Sequence, residues 1–292
     1  MESLRIAVLR FPFKRPVTFD KPVTCACIVL FYVARRCDKM LNLVDHPVLA
    51  LVVSLLIFWF SACIGGAFRK WQGDLDDDIY HDFVFVLSAT HTLLGLIVAF
   101  TLVMAVNRYD QRKNYEEEET NAIGTEFVRA ELLPAPDAAR VRALLKRYLD
   151  QRVLDYETRN EPQIQQIDAQ TARLQAEMWS AVATPAAAQP TPVASLVLSG
   201  MNDVLNSQGY TAAAWRNRIP IAAWALLIMV SIFCNLMIGY SAHARSSFLF
   251  IVLPIALSIT LFLIADVDSP RGGVIRVRPQ NLESLVESLH SQ

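Results

Sequence analysis

The chain has 292 residues, of which 53% are hydrophobic and only 19% are charged, whereas about 25% of the residues of a typical soluble domain are charged. Its 27 basic and 28 acidic residues leave a formal net charge of −1, which excludes a disordered chain and argues against a nucleic-acid binder. The five cysteines are too few for a disulfide framework. The hydrophobic excess is concentrated in a few segments, and the class of protein follows from them.

Four segments are long and apolar enough to cross a bilayer. A membrane-spanning helix needs about 20 mostly apolar residues, because each residue adds about 1.5 Å across a hydrocarbon core of about 30 Å. The segments that meet this requirement without Asp, Glu, Lys or Arg are residues 48–68, 83–106, 221–240 and 248–265. Buried helices of a large soluble protein are the alternative, which the confinement of charges to the segment ends disfavours. The sequence therefore predicts an all-α integral membrane protein with four transmembrane helices.

A shorter apolar run, residues 23–34, precedes the first of these segments. Its length of about 12 residues is small for a span, and Arg35 and Arg36 follow it. An interfacial helix or a poorly ordered arm fits this pattern better. We therefore assign residues 1–47 to an N-terminal basic arm.

The distribution of Lys and Arg predicts the orientation of the spans, because cytoplasmic segments carry an excess of these residues. The arm carries 8 of them, the segment between the second and third spans carries 13 and the C-terminal tail carries 3. The other two connections carry 2 and 1. Both termini, the middle segment at residues 107–219 and the tail at residues 266–292 are therefore predicted to be cytoplasmic.

The middle segment is predicted to be a helical cytoplasmic domain, because it shows helical periodicity and no strand-like alternation. Residues 107–133 should continue the second span without a break. Pro134 should stop this helix, and Asp137 is a plausible N-cap of the next one. Residues 184–192 are predicted to form a Pro/Ala loop, and residues 193–206 a last helix before the third span.

Two helices of the middle segment carry apolar seams, the second of which begins near Pro162. The seams consist of Val141, Leu144, Leu145, Tyr148 and Leu149, and of Ile164, Ile167, Thr171, Leu174 and Met178. The steps of three and four residues in the second seam are typical of coiled-coil packing. We interpret the seams as packing against each other in a helical hairpin; packing between subunits is the alternative.

A stripe of small and polar side chains follows one face of the second span. Ser88, Thr92, Gly95 and Ala99 are spaced by four, three and four residues, and His91 borders them. Small residues let helices approach closely in lipid and hydroxyls bond across the contact, so helix packing is one interpretation. The other is the lining of a water-filled path. Since an ionisable group inside a membrane is costly and often functional, His91 is the first residue to mutate.

A line of polar side chains follows the helix beyond the second span. Asn121, Thr125 and Arg129 step by four residues, whereas Ile123 lies on another side. The line is either buried against a partner helix, where each polar group needs a hydrogen-bond partner, or exposed at an aqueous vestibule. The nearby run of four glutamates, residues 116–119, is predicted to be solvated helix surface.

A cluster of charges is predicted where the spans leave the membrane. Asp266 and Asp268 end the fourth span, and two carboxylates at a membrane exit need cations. Arg108, Arg218 and Arg271 should lie at the same depth. We therefore predict a membrane-exit ion-pair cluster that acts as a stabilising clamp.

The remaining reactive side chains do not form a recognised site. The acidic run of Asp74 and residues 76–78 lacks the spacing and the turn glycine of a calcium-binding loop, so it is predicted to be a solvated loop. Cys25, Cys27 and Cys37 do not match a tetrahedral zinc pattern. Phosphate-binding loops and hydrolase or protease motifs are missing from the sequence. We therefore predict no metal, no cofactor and no enzymatic activity.

Five motifs give the chain a family resemblance. They are Asn-Arg-Tyr-Asp-Gln-Arg at 107–112, Asn-Ala-Ile-Gly-Thr at 121–125, Arg-Ala-Glu-Leu-Leu-Pro at 129–134, Asn-Arg-Ile-Pro at 217–220 and Asp-Val-Asp-Ser-Pro-Arg at 266–271. In combination they resemble the bacterial bestrophin-like membrane protein family (the DUF4239 domain) over most of the chain. Members of this family usually begin close to the first span, and Met40 resembles such a beginning, so residues 1–39 are predicted to be an upstream extension.

The resemblance implies a four-span protein of the inner (plasma) membrane of a bacterium with a helical cytoplasmic insert. It points to bestrophins, which are pentameric anion channels, so the expected function is an oligomeric anion-permeable channel. The expected partners are the lipid bilayer, further copies of the chain and an anion, and not nucleic acid. The alternative is a non-conducting membrane-anchored scaffold or sensor that binds a partner through its cytoplasmic domain.

Overall fold

The computed structural model describes residues 46–72, 77–241 and 249–291. The regular structure within these residues is helical, in agreement with the predicted all-α class. The predicted N-terminal arm, its apolar run, its three cysteines and the start at Met40 lie outside the described residues. The side chains of Asp74 and residues 76–78 lie outside them as well.

Eight α-helices follow one another along the described part of the chain. They are α1 Pro47–Gln72, α2 Asp77–Arg129, α3 Ala135–Glu157, α4 Glu161–Ala188, α5 Pro192–Arg216, α6 Ile221–Ser241, α7 Leu249–Asp268 and α8 Gln280–His290. A 3₁₀ turn, Ala130–Leu132, follows α2.

Four helical segments are long and apolar enough to cross a membrane. They lie in α1, the first part of α2, α6 and α7, where the sequence predicts the four spans. Helix α1 packs against α6 and α7, and α2 packs against the same two helices. Their shared interior is apolar and includes Phe58, Leu94, Leu227, Leu261 and Ile264.

Helices α1 and α6 approach each other so closely that two positions admit only glycine. A Cβ atom on Gly65 would overlap the backbone carbonyl oxygen of Leu236, and one on Gly239 would overlap that of Ala62. Backbone atoms cannot move aside as a flexible side chain can, so each glycine is required for the crossing.

The last turn of α6 is capped by a side chain from α1. Arg69 donates from Nη1 to the backbone carbonyl oxygens of Tyr240 and Ser241, at 3.2 and 3.0 Å. These carbonyls belong to the four that the end of a helix leaves without a helical partner. The ring of Tyr240 also lies 6.0 Å from that of Phe68 and 5.2 Å from that of Phe83, which ties together the same ends of α1, α2 and α6.

Helix α2 is continuous over 53 residues, which corresponds to a length of about 80 Å. Because this is more than twice the thickness of a hydrocarbon core, the second half of α2 extends beyond the apolar segment. The predicted continuation of the second span is therefore confirmed. Pro134 is confirmed as the break, but the N-cap of α3 is Pro134 rather than Asp137, which lies inside the first turn.

The second half of α2 packs with α3, α4 and α5 into the helical insert, which we define as residues 107–219. Helix α3 packs against α4, and α5 packs against both α2 and α4. All ten residues of the two predicted apolar seams are buried within this one chain. The hairpin interpretation of the seams is therefore confirmed.

Two predicted boundaries in the insert are wrong. The proposed loop at 184–192 is mostly helix, because α4 continues through Pro185 to Ala188. A proline near a helix end sacrifices only one backbone hydrogen bond, which makes it tolerable there. Helix α5 then begins with Thr191 as its N-cap, whose side chain accepts a hydrogen bond from the Ala194 N–H at 3.1 Å. It continues to Arg216, well past the predicted end at Asn206.

The predicted tail contains a helix that the sequence analysis missed. Helix α8 packs against α2 and α3. Leu282 and Leu289 are buried, and Leu285 and Val286 pack against the same core. The tail is thus a structural part of the insert.

Candidate functional site

The predicted stripe on the second span faces away from the other described helices of the chain. Ser88, Thr92, Gly95 and Ala99 are exposed, and His91 is partly buried. A Cβ atom at Gly95 would meet no atom within 4 Å. The stripe therefore does not pack against another helix within the described part of this chain.

The polar side chains of the stripe are bonded to their own helix. Ser88 Oγ donates to the Val84 carbonyl oxygen at 2.9 Å, and Thr92 Oγ1 donates to that of Ser88 at 3.0 Å. His91 Nδ1 lies 2.7 Å from the Leu87 carbonyl oxygen. The stripe thus offers hydroxyls and an imidazole, and no Asp, Glu, Lys or Arg side chain.

The predicted polar line lies on the same side of α2 as the stripe. Asn121 and Thr125 are exposed, whereas Arg129 is partly buried. Asn121 follows Thr92 by about eight full turns, which places the two side chains within about 20° of each other around the helix axis. The stripe and the first part of the polar line therefore form one continuous face, which we call the uncovered face of α2.

A buried arginine joins α2 to the end of α7. The guanidinium of Arg112 donates from Nη2 to the Val267 carbonyl oxygen at 2.6 Å and from Nη1 to that of Asp268 at 3.0 Å. These carbonyls lie in the last turn of α7, where helical partners are missing. Arg112 was not assigned to the membrane-exit cluster, yet it is the side chain that joins α2 to this turn.

The two carboxylates of the predicted cluster accept hydrogen bonds from backbone N–H groups. Asp268 accepts from the Ile219 N–H at 3.1 Å, which joins the end of α7 to the start of α6. Asp266 accepts from the N–H groups of Val274 and Ile275 at 2.7 and 2.8 Å. Asp266 therefore fixes the fold of the segment that follows α7.

The three arginines of the predicted cluster occupy different positions. Arg108 donates to Asn217 Oδ1 at the end of α5, and both Arg108 and Arg218 act electrostatically on Asp268. Arg271 reaches into the insert, where its Nη2 pairs with Asp155 Oδ1 at 2.9 Å.

Arg271 also fastens the segment after α7 to the end of α3. Its Nη1 donates to the backbone carbonyl oxygens of Asp155 and Thr158, at 2.6 and 2.9 Å. The centre of its guanidinium lies 4.1 Å from the centroid of the Trp215 ring, a distance typical of a cation–π interaction. Arg271 thus links the segment after α7 to α3 and α5.

A buried chain of charges continues from Asp155 into the core of the insert. Arg152 Nη1 lies 2.9 Å from Asp155 Oδ2, and its Nε lies 2.5 Å from Glu119 Oε1. Thr211 Oγ1 donates to Glu119 Oε2 at 3.1 Å. Burial alone would lower the pKa of Arg152, but Glu119 and Asp155 raise it above its ordinary value. Glu119, Arg152, Asp155 and Arg271 form what we call the buried charge chain, which connects α2, α3 and the segment after α7.

The prediction that residues 116–119 are solvated is wrong for two of the four glutamates. Glu117 and Glu118 are exposed, but Glu116 and Glu119 are buried. Positions three and four apart share a helix face, and Glu116 and Glu119 share theirs with the buried Arg112 and Ile123. That spacing is a signal in the sequence that would have identified them.

Glu116 holds the N-terminus of α8. Its Oε1 accepts from the N–H groups of Asn281 and Leu282 at 3.0 and 3.1 Å, and its Oε2 accepts from Asn281 Nδ2 at 2.7 Å. At the other end of α8, Lys146 Nζ donates to the Leu289 carbonyl oxygen at 2.6 Å. An anion at the N-terminus and a cation at the C-terminus both complement the dipole of a helix.

These contacts define an all-helical protein with four apolar helices, in which the helix of the second apolar segment is fastened to the insert. Across residues 46–72, 77–241 and 249–291, no group of three or more His, Cys, Asp or Glu side chains is arranged to hold a metal ion. The Bestrophin-like domain matches residues 48–282. The chain belongs to the bestrophin-like family, as its sequence motifs predict.

Solved structures of bacterial bestrophin homologues share this fold. A single-substitution variant of the homologue from Klebsiella pneumoniae is 14% identical, with a TM-score of 0.60, and the match covers 84% of this chain and 98% of that one. Another structure of the Klebsiella pneumoniae homologue is 13% identical, also with a TM-score of 0.60, and the match covers 84% and 97% of the two chains. No curated protein sequence gave a significant match.

Proposed function

We propose that the chain forms a homo-oligomeric, anion-permeable channel in which α2 of each copy faces a common axis. The observation that carries this proposal is the uncovered face of α2, which runs from Ser88 in the apolar segment to Thr125 in the insert. Hydroxyls and small residues gain little from contact with lipid, but they suit helix contacts and water-filled paths. The family membership supports the same proposal, because bestrophins are anion channels.

The orientation proposed for the channel places both termini and the insert in the cytoplasm of a bacterium, with the apolar helices in its inner membrane. The excess of Lys and Arg in the insert over the two short connections supports this orientation. Arg108 and Arg218 lie near the ends of the second and third apolar segments, and basic residues at such positions determine the orientation of a membrane protein.

Within the apolar segment, where the uncovered face carries no Asp, Glu, Lys or Arg, anion preference in this proposal arises from neutral donors rather than from rings of fixed charge. Ser88 and Thr92 carry hydroxyls that can rotate from their own helix carbonyl toward a passing anion. The imidazole of His91 adds a polar group beside them. Several copies of these groups around an axis would replace part of the hydration shell of an anion.

A flux assay with two matched threonine variants tests this function. Purified chain is reconstituted in liposomes, and chloride-driven quenching of an enclosed dye is measured. Thr92→Val removes one hydroxyl from the uncovered face. Thr90→Val removes one from the opposite side of α2, where the Thr90 carbonyl oxygen accepts from Cys234 Sγ. We expect the first variant to reduce chloride flux several-fold and the second to leave it unchanged.

Two results would contradict the channel. One is a monomer in native mass spectrometry, because four spans of a single chain cannot enclose a pore with the uncovered face. The other is the absence of flux from a well-folded oligomer, which would favour the non-conducting scaffold that binds a partner through the insert. Equal flux from both threonine variants would reject the uncovered face as the lining.

A further inference from the structure

Glu126 is a buried carboxyl group without a hydrogen-bond partner. It lies on the side of α2 that packs against α5, its side chain is fully buried, and neither of its oxygens bonds to another atom of the described residues. Glu116 and Glu119 on the same helix are also buried, but both accept several hydrogen bonds. Since buried carboxylates are normally paired or hydrogen-bonded, Glu126 requires a different explanation.

Helix α5 has a glycine where it meets Glu126. A Cβ atom on Gly200 would overlap Glu126 Oε2 and would lie 2.6 Å from Arg129 Nη1. Glycine in the middle of a helix is unfavourable, so its presence here is explained by the space that the two side chains of α2 occupy. The Glu126 carboxyl thus packs directly against the backbone of α5 at Gly200.

The surroundings of Glu126 favour its uncharged form. The pKa of this carboxyl is raised to about 8, chiefly by burial; Arg129 on its own helix lowers the pKa and Asp203 on α5 raises it. In the adjoining 3₁₀ turn, Glu131 pairs with Arg142 of α3 at 3.0 Å. Glu126 lies about 30 Å along α2 beyond the apolar segment that ends at Val106, so it exchanges protons with the aqueous side.

We propose that Glu126 and Gly200 form a proton-controlled joint between α2 and α5. The joint is closed when the Glu126 carboxyl is protonated and packs on Gly200. When the carboxyl loses its proton, an ionised group is left buried against the Gly200 backbone. Arg129 attracts this charge and the exposed Asp203 repels it, and the two helices separate to let water reach it. Rising pH on the side of the insert therefore loosens the attachment of α5 to α2. This inference does not depend on whether the chain conducts ions.

The direction of the pH effect follows from proton linkage. When the joint opens, the pKa of Glu126 falls from about 8 to the ordinary value for a glutamate, about 4.3. Between these two values the closed state binds more protons than the open state, so opening becomes easier as pH rises. Above pH 8 both states are ionised, and the effect levels off. From pH 6.5 to pH 9 the equilibrium for opening should increase by up to about thirtyfold.

Hydrogen exchange of the full chain in detergent micelles tests the joint. Backbone exchange around Gly200 and Glu126 is followed by mass spectrometry between pH 6.5 and pH 9, after correction for the intrinsic exchange rate. We expect protection of both segments to fall with rising pH in the wild type and to be independent of pH in Glu126→Gln. Glu118→Gln, the same change at an exposed position of α2, should keep the wild-type pH dependence.

A second variant and a second measurement keep the proposal testable if the Glu126→Gln protein fails to fold. Asp203→Asn removes the like charge on α5, so the pH above which the opening equilibrium stops increasing should be lower than in the wild type. In the wild type, infrared spectroscopy should detect a protonated carboxyl that titrates near pH 8 and shifts downward in Asp203→Asn. Identical pH dependence in wild type and Glu126→Gln would overturn the proposal, and so would the absence of a carboxyl titration that responds to Asp203.

Discussion

Arg112 donates a hydrogen bond to the backbone carbonyl oxygen of Asp268 at 3.0 Å, across 156 positions of sequence. This contact fixes the end of α7 to the middle of α2, at the level where the apolar segments end. The Asp268 carboxylate in turn accepts from the Ile219 N–H, just before α6 begins. Two residues therefore hold together the middle of α2, the end of α7 and the start of α6.

Loss of this contact should destabilise the protein more than loss of a neighbouring charge. Arg112→Ala removes hydrogen bonds to two buried carbonyls, for which we expect a decrease of about 3 kcal/mol in the free energy of unfolding. The adjacent Lys113 is exposed, and Lys113→Ala should change the free energy of unfolding by less than about 0.5 kcal/mol. Unfolding in an SDS titration, followed by circular dichroism, measures both. Equal stability of the two variants would exclude the proposed importance of Arg112.

The buried charge chain should be sensitive to removal of one partner and less so to removal of both. Glu119→Gln leaves the buried Arg152 with one of its two carboxylate partners, Asp155, for which we expect a loss of about 3 kcal/mol. The double variant Glu119→Leu with Arg152→Met removes both charges and should recover part of that loss. Glu118→Gln is the exposed control. A double variant less stable than Glu119→Gln would show that the pair itself is strongly stabilising.

The glycines at the crossing of α1 and α6 should be intolerant of a single methyl group. Gly239→Ala places a Cβ atom against the carbonyl oxygen of Ala62, so the helices must separate, at a cost of about 1–3 kcal/mol. A Cβ atom at Gly209 in α5 meets nothing within 4 Å. Gly209→Ala should therefore stabilise the chain by up to about 1 kcal/mol through helix propensity. Thermal unfolding in detergent compares them, and an equal change in both proteins would contradict the close crossing.

The attachment of α8 should depend on Glu116. Glu116→Ala removes the acceptor of three hydrogen bonds from Asn281 and Leu282, so the N-terminus of α8 should detach. Trypsin cleavage after Arg276 should then become several-fold faster. Glu117→Ala, one position away on the exposed face, should leave the cleavage rate unchanged. If both variants are cleaved like the wild type, α8 is held by its apolar side alone.

The periodicity of the sequence predicts most of the fold. Runs without charges identify the four apolar segments, and steps of three and four residues identify the buried seams of α3 and α4. Boundaries near proline were less accurate, because Pro185 lies in a final helical turn where it costs little.

The sequence predicts the site residues less well than the fold, because their contacts depend on which face of a helix they occupy and on how distant helices align. Solvation of the whole run at 116–119 follows from its charge alone, whereas its helical spacing assigns Glu116 and Glu119 to the buried face. The proximity of Glu126 to Gly200 could not be predicted in this way, since it depends on the register between two helices distant in sequence. The alignment of Thr92 with Asn121 could be derived once α2 was known to be unbroken.

The unbroken course of α2 has a mechanical consequence. An α-helix resists twisting because each turn is cross-linked to the next by backbone hydrogen bonds, and α2 contains neither a proline nor a kink-forming bulge. If its apolar half turns about the helix axis, the half inside the insert turns by nearly the same angle. A rearrangement that begins at one end of this helix is therefore delivered to the other end without any intermediate hinge.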